Sequence, residues 1–214
     1  MRMKMRITFS FLFPMKKTLL ALIVFLFASQ LRAQDTLLLS RIMEAGSKLT
    51  SLSAQLHNHN KKGEKITEKD GKISYATPDK LAAIFENDTY LIINENRIKV
   101  DIGIFHGTFK MRNGILRSLS RAFLYAIQGR CQDLADENNY SLQTETDGQF
   151  HTVTFTTKKK LLIGIGIKQA IFRYGLNDLL IKEIILIDYR GYIDTYTLVN
   201  EKYNEEIKED DFEI

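Results

Sequence analysis

The stretch "IKEIILIDYRGYIDTYTLVN", residues 181–200, decides the fold class. Two apolar segments flank a short polar turn centred on Gly191, a pattern typical of a β-hairpin. The first segment contains four successive apolar residues (184–187), so both of its faces are apolar, whereas a sheet with one solvated face alternates. We therefore expect a second layer against this sheet. The pattern alone leaves open whether the even-numbered or the odd-numbered pair faces that layer.

Similar strand patterns fill much of the remaining chain. The stretch "SLSAQLHNHNKK" (51–62) alternates apolar and polar residues, and the charged stretch "KGEKITEKDG" (62–71) is expected to be a turn. Short turns separate the later segments, which predicts an antiparallel meander. These segments are "KISYAT" (72–77), "DKLAAIFEN" (79–87), "TYLIIN" (89–94), "RIKVDIG" (97–103), 140–157 and "QAIFRY" (169–174).

Two segments have helical periodicity. Residues 35–49 form an amphipathic pattern with Asp35 as a candidate N-cap, and residues 114–130 carry an apolar stripe that ends near Gly129. The stripe comprises Leu116, Leu119, Phe123 and Ile127. The fold class is therefore α+β, with one large antiparallel sheet and a few helices packed on it. The residues leave open an ordinary two-layer core or a curved sheet with helices on its concave face.

The N-terminal region has the layout of a secretory signal peptide. Residues 15–34, "MKKTLLALIVFLFASQLRAQ", combine two lysines, an apolar run and a small-residue end. Cleavage is expected between Ala33 and Gln34, which leaves one domain over 34–214, and Met15 is an alternative start. The apolar run is shorter than the ~20 residues that a membrane-spanning helix needs. We therefore expect an exported protein of the periplasm.

Removing the predicted signal, residues 1–33, reverses the sign of the charge. All six charges in that segment are basic, so 24 Lys and Arg remain against 26 Asp and Glu, a formal net of −2. This balance gives no support to nucleic-acid binding. The single cysteine, Cys131, excludes an internal disulfide and is expected to be a buried structural residue. The acidic tail, residues 205–211, is expected to be solvated, and the chain to be a monomer.

Catalytic and metal-binding patterns are weak. His57 and His59 share a strand face, but neither His106 nor His151 has a spacing that completes a metal site. The stretch "GIGIKQ" (164–169) lacks the third glycine of a dinucleotide loop. We predict no enzyme, no cofactor and no metal. A hydrolase would require His57, His106 and His151 to fold together.

Three segments resemble a known family when taken in order. "GKISYATPDKL" (71–81) is similar to the G-x-I/L-x-Y-x-x-P-x-K-L stretch of periplasmic outer-membrane lipoprotein carrier proteins of the LolA type, and "LIINENRIKV" (91–100) resembles the hairpin that follows it there. The end of the chain, 188–212, resembles the D-x-x-G…T-x-Y/I-x-F/L-x-N…N-x-x-I…F ending of that family. It is carried here by Asp188, Gly191, Thr195, Tyr196, Leu198, Asn200, Asn204, Ile207 and Phe212. No arginine of the first two strands matches the family's gating position, where this chain offers Lys61, Lys62 and Lys72.

The resemblance implies an incomplete β-barrel: an open, strongly curved antiparallel sheet with helices covering the concave face. It further implies a carrier that takes lipoprotein acyl chains, or a related lipid, from an inner-membrane ABC transporter to an outer-membrane acceptor. Each CH₂ moved from water to an apolar site gains about 0.8 kcal/mol. Candidate cavity residues are Ile73, Tyr75, Phe85, Ile93, Val100, Phe155, Ile184 and Leu186 on the strands and Leu116, Leu119, Phe123 and Ile127 on the helix. The alternative is a non-enzymatic interaction module with a solid core and no ligand cavity.

Overall fold

The computed structural model describes residues 35–102, 105–111, 115–158 and 166–214. The predicted signal peptide and its cleavage site lie outside the described residues, as do Gly164 and Ile165 of the "GIGIKQ" stretch. The Cα packing divides the chain into residues 1–38 and 39–214. The first unit is described only at 35–38, where a helix begins, and the second contains the sheet.

The described residues of the second unit form a single antiparallel sheet of eleven strands. The strands are β1 (Ser51–Lys62), β2 (Lys65–Ala76), β3 (Lys80–Phe85), β4 (Tyr90–Asn94), β5 (Arg97–Ile102), β6 (Phe105–Lys110), β7 (Tyr140–Thr146), β8 (Phe150–Thr157), β9 (Ile167–Gly175), β10 (Ile181–Asp188) and β11 (Ile193–Tyr203). Their order is β6-β5-β4-β3-β2-β1-β11-β10-β9-β8-β7. The sheet is curved and not closed, so the predicted α+β half-barrel is confirmed.

Three α-helices accompany the sheet within the described residues: α1 (residues 35–47), α2 (Ile115–Gln128) and α3 (Cys131–Asn138). The expected helices at 35–49 and 114–130 are therefore confirmed. Gly129 ends α2 with φ +68°, a left-handed backbone that glycine adopts without steric penalty. The sequence prediction missed α3 and the exposed edge strand β6.

The hairpin of residues 181–200 forms β10 and β11, with the Asp188 carboxylate accepting hydrogen bonds from the backbone N–H groups of Arg190 and Tyr192. Ile184 and Leu186 are buried, at 0% and 6% exposure. They share a face with Tyr196 and Phe172 in the strand register, and α2 packs against β9 and β10 on this side. We call this side the concave face. Ile185 and Ile187 are half-buried on the opposite, convex face.

The charged stretch 62–71 is a strand rather than the expected turn. Only Gly63 and Glu64 connect β1 to β2, and the two strands stay in register from Lys62 opposite Lys65 to Ser51 opposite Ala76. The first six residues of β2 have no core to face, so their composition lacks the apolar alternation by which strands are recognised. Their backbone pairing with β1 nevertheless holds them extended.

The acidic tail is docked rather than simply solvated. Phe212, in a 3₁₀ helix (Glu209–Phe212), is 1% exposed and packs on Ala82 and Ile92 of the convex face. Asp211 accepts hydrogen bonds from Ser74 Oγ at 2.9 Å and from Lys72 Nζ at 3.1 Å. A single apolar residue, Phe212, is enough to anchor a segment whose composition is otherwise polar.

Candidate functional site

A cavity of about 290 Å³ opens on the concave face beside the far half of the β1–β2 hairpin. Its wall combines side chains of β1, β2 and β11 with the ends of β3 and β5. The lining residues are Asn58, Asn60, Lys62, Thr67, Lys69, Phe85, Thr89, Ile102, Asp194 and Tyr196. The cavity lining therefore combines apolar side chains with polar ones, among them two ammonium groups.

Three aromatic rings connect the cavity to the helix layer. The ring of Tyr196 lies 6.2 Å from that of Phe85 and 5.0 Å from that of Phe123 on α2, the latter in an edge-on arrangement. We call Phe85, Phe123 and Tyr196 the aromatic trio. Burial, together with the nearby Asp194 carboxylate, raises the pKa of Tyr196, so its hydroxyl stays neutral. The trio is the boundary between the cavity and the packed core beneath α2.

The polar wall is held in place by side-chain hydrogen bonds. Asn58 is only 8% exposed and donates through Nδ2 to the carbonyl oxygen of Thr195 at 3.3 Å. Asn60 Nδ2 donates to the Asp194 carboxylate. Two amides and one carboxylate of adjacent strands thus share one surface, which orients polar groups toward the cavity.

The structure places all eight predicted strand residues on the concave face, since the strand register puts each of them on the side that bears Ile184 and Leu186. Phe85 is the one predicted residue that lines the 290 Å³ cavity. Tyr75 lines a second cavity, of about 400 Å³, beside α1 and the end of α2. Of the helix stripe, Phe123 and Ile127 are buried while Leu116 and Leu119 are half-buried. Ile73, Ile93, Val100, Phe155, Ile184 and Leu186 are buried in the core.

Sequence reasoning missed Phe172 and Tyr174, which fix the core beneath α2. Phe172 stacks at 4.8 Å from the ring of Phe155. The Tyr174 hydroxyl donates to the Ala126 carbonyl oxygen at 3.0 Å and lies 3.2 Å from Cys131 Sγ. The alternation in "QAIFRY" was the available signal, since Ala170, Phe172 and Tyr174 occupy every second position.

Cys131 is buried, as predicted. Burial raises the pKa of its thiol to about 12, an effect that the contact with Tyr174 partly offsets. The neutral thiol is a poor nucleophile. Cys131 therefore has a packing role at the start of α3.

The C-terminal end of α2 is tied to the sheet by one side chain. Gln128 Nε2 donates to the Pro78 carbonyl oxygen at 2.6 Å and to the Tyr75 hydroxyl at 3.3 Å. The start of α2 has only half-buried side chains from Leu116 to Leu119. The helix is therefore tied to the sheet at its end, whereas Arg117 and Ser118 at its start contact Glu137 and Asn138 of α3.

The histidines lie apart and each has a local partner. His57 contacts the Asp70 carboxylate, His106 Nδ1 lies 2.8 Å from Asp101, and His151 Nδ1 lies 2.7 Å from Thr146 Oγ1. They belong to β1, β6 and β8, and at least three other strands lie between any two of these in the sheet order. The three histidines that a hydrolase would require are therefore not brought together. Among the described residues, no group of three or more His, Cys, Asp or Glu side chains is placed to hold a metal ion.

No helix in the described part of the chain has the length and apolar character needed to cross a membrane. The chain matches no protein-family model and no curated protein.

Several solved structures are similar to it. A DUF1329 family protein from Desulfovibrio piger matches with a TM-score of 0.48 and 13% identity, over 82% of this chain and 94% of that one. A LolA superfamily protein from Nitrosomonas europaea matches with a TM-score of 0.41 and 7% identity, over 82% of this chain and 97% of that one. A putative outer-membrane lipoprotein-sorting protein domain from Vibrio parahaemolyticus matches with a TM-score of 0.44 and 9% identity, over 81% of this chain and 94% of that one. At these values the similarity identifies neither a family nor a ligand or partner for this chain.

Proposed function

We propose that this protein is a periplasmic carrier that binds an acyl chain on the concave face of its sheet, between the strands and α2. The observation that carries the proposal is the continuity of the site: the cavity beside the hairpin ends on the aromatic trio, and the trio borders the apolar layer under α2. A chain that enters the cavity therefore meets the rings of Phe85 and Tyr196 and, beyond them, the apolar layer under α2. The cargo would be a lipoprotein acyl chain or a related lipid, moved from an inner-membrane transporter to an outer-membrane acceptor as the sequence resemblance implies.

The volume of the cavity determines how such a carrier would load. At about 290 Å³ it lies at the lower limit of ligand sites, which span about 300–1,000 Å³. A long chain therefore requires α2 to move away from the sheet at its half-buried start, while Gln128 holds its end. The separation removes contacts between apolar side chains, and this offsets part of the ~0.8 kcal/mol gained per CH₂ buried. Moderate affinity follows, which is what a protein that must release its cargo needs.

Binding of a fluorescent fatty-acid probe tests the proposal, with native mass spectrometry of protein purified from the periplasm as a second measurement. We expect saturable probe binding and a co-purifying acylated ligand. Thr67→Trp places an indole in the cavity from β2 and should weaken probe binding at least tenfold. The matched control is Ile66→Trp, the adjacent position, whose side chain is 53% exposed and points to the other face of the same strand.

A second candidate function is favoured by the packing beneath α2. Phe172 and Ile184 are fully buried there, and Ile73 is fully buried on the same face of the sheet, as expected for an interaction module with a solid core. That candidate predicts no probe binding and no acylated species in the mass spectrum. Equal binding by wild type and Thr67→Trp would instead show that the chain enters by another route.

A further inference from the structure

We propose that the cavity selects an amphiphile with an anionic headgroup, a phosphate or a carboxylate, which lies against the lysines of the β1–β2 hairpin while its chain points toward the aromatic trio. This inference rests on the proposed carrier function and adds the chemical class of the cargo. The site comprises the polar side chains of Lys62, Lys69, Asn58 and Asn60 together with the rings of Phe85 and Tyr196.

The carboxylates of the paired strands lie on one face of the hairpin only, and lysines without them occupy the other. In the register of β1 and β2, Lys62 lies opposite Lys65 and Asn58 opposite Lys69, so all three lysines point to the concave side. The carboxylates of Glu68 and Asp70 belong to the intervening positions of β2 and point to the convex side. The concave side of this ribbon thus carries three ammonium groups without a carboxylate of its own strands.

The carboxylates on the convex side are already paired. Asp70 contacts His57, and Glu68 Oε1 lies 3.3 Å from His59 Nδ1. Neither residue is therefore directed at the lysines across the ribbon. Because each carboxylate has a histidine of β1 as its neighbour, the pairing stabilises this distribution of charge.

The concave lysines lack such partners. Within the described residues, no ion pair joins Lys62, Lys65 or Lys69 to a carboxylate, and Lys62 Nζ has only the ring of Tyr192 at 5.8 Å. Like charges directly opposite each other on neighbouring strands destabilise a sheet. Lys62 and Lys65 form such a pair. An anion bound between the strands would remove this repulsion.

Asp194 is the one carboxylate among the described residues that line the cavity, and it accepts a hydrogen bond from Asn60. Its single negative charge faces two lining lysines, so the cavity retains a positive excess. Lys69 and Phe85 line the same cavity, which brings an ammonium group and an apolar ring to one ligand-sized space. A charged headgroup joined to one apolar chain fits this arrangement.

Competition binding with three dodecyl detergents below their micelle concentrations tests the charge selection. Dodecyl phosphate is the anionic detergent, dodecyl maltoside is the neutral one with the same chain, and dodecylphosphocholine carries both charges. Inorganic phosphate supplies the headgroup without a chain. Each lysine near an anionic group strengthens binding roughly fivefold, so we expect wild type to prefer dodecyl phosphate over dodecyl maltoside roughly 30-fold. Dodecylphosphocholine, with both charges, should fall between them, and inorganic phosphate should not compete at equal concentration.

The variant Lys62→Gln/Lys69→Gln should bring the ratio of the two affinities close to one. Lys61→Gln/Lys110→Gln removes the same charge from exposed lysines of β1 and β6 that do not line the cavity, and it should keep the wild-type ratio. A wild-type ratio near one, or a ratio unaffected by Lys62→Gln/Lys69→Gln, overturns the inference and leaves the carrier function standing. Failure of every detergent to bind overturns both. Inorganic phosphate that competes as well as dodecyl phosphate would make this a free-anion site and also overturn the inference.

Discussion

The concave face has two halves that use the same strands for different purposes. Along β1, every second residue points to this face, and the series changes from Leu52, Ala54 and Leu56 to Asn58 and Asn60. We call the first part, which lies with the buried residues under α2, the packed half. The part beyond Leu56, with the cavity, is the polar half.

The packed half contributes mainly to the stability of the fold, whereas the polar half supplies groups for binding. Residues of the packed half are almost all fully buried, so each contributes transfer free energy and close packing. Residues of the polar half, apart from the buried Asn58, are exposed or half-buried and contribute charge and hydrogen-bonding groups instead. We therefore expect substitutions in the packed half to lower the free energy of unfolding, and substitutions in the polar half to alter binding alone.

The largest effect is expected for Phe172→Ala. This side chain is fully buried and stacks on Phe155, so truncation leaves a cavity in the packed half and should lower the free energy of unfolding by about 3–5 kcal/mol. Urea denaturation followed by circular dichroism measures the change. A loss below 1 kcal/mol would mean that the core under α2 is loosely packed and would break the contrast between the two halves.

Gly129→Ala should lower the free energy of unfolding by about 2 kcal/mol. The residue has φ +68°, where a Cβ is unfavourable by about 1–2 kcal/mol, and the added carbon would lie 2.4 Å from the Ile42 carbonyl oxygen of α1. The matched control is Gly148→Ala in the β7–β8 turn, where an added Cβ meets nothing within 4 Å. If both variants lose the same stability, the close approach of α1 and α2 does not limit the packing.

Tyr174→Phe should cost about 1 kcal/mol. It removes the hydroxyl that donates to the Ala126 carbonyl oxygen and contacts Cys131, while the ring keeps its place in the core. Thermal unfolding of wild type and variant at one pH measures the loss. Unchanged stability would assign the role of Tyr174 to its ring alone.

The smallest effect is expected for Lys65→Ala/Lys69→Ala in the polar half. Exposed substitutions usually stay within about 0.5 kcal/mol, and relief of the repulsion between Lys62 and Lys65 acts in the stabilising direction. The same urea titration used for Phe172→Ala provides the comparison. Destabilisation by more than about 1 kcal/mol would show that the polar half also supports the fold.

The fold could be predicted where side-chain periodicity is strong. The hairpin of β10 and β11, the extent of β1 and the position of α2 follow from apolar spacing and turn residues, which are local properties. The pattern fails in the first half of β2, because a strand with no core to face needs no apolar residues. It fails again at Phe212, where a single ring anchors a segment of otherwise acidic composition.

The candidate site was predictable only in part. The eight strand residues proposed from the sequence do share the concave face, because residue parity and strand register are set by the apolar alternation itself. Most of them nevertheless pack in the core, and the cavity is lined by polar residues such as Asn58, Lys62 and Lys69 that a search for apolar positions passes over. These residues carry no local signal, since a polar strand residue is ordinarily solvated.

Local sequence patterns specify the α+β class and the antiparallel hairpins, because these depend on neighbours along the chain. Only the tertiary structure decided that Ile184 and Leu186 face α2, while Ile185 and Ile187 face outward. It alone placed Lys62, Lys65 and Lys69 on one surface beside the aromatic trio. That placement depends on the pairing of strands distant in sequence and on the curvature of the sheet. The composition of a single segment specifies neither of these.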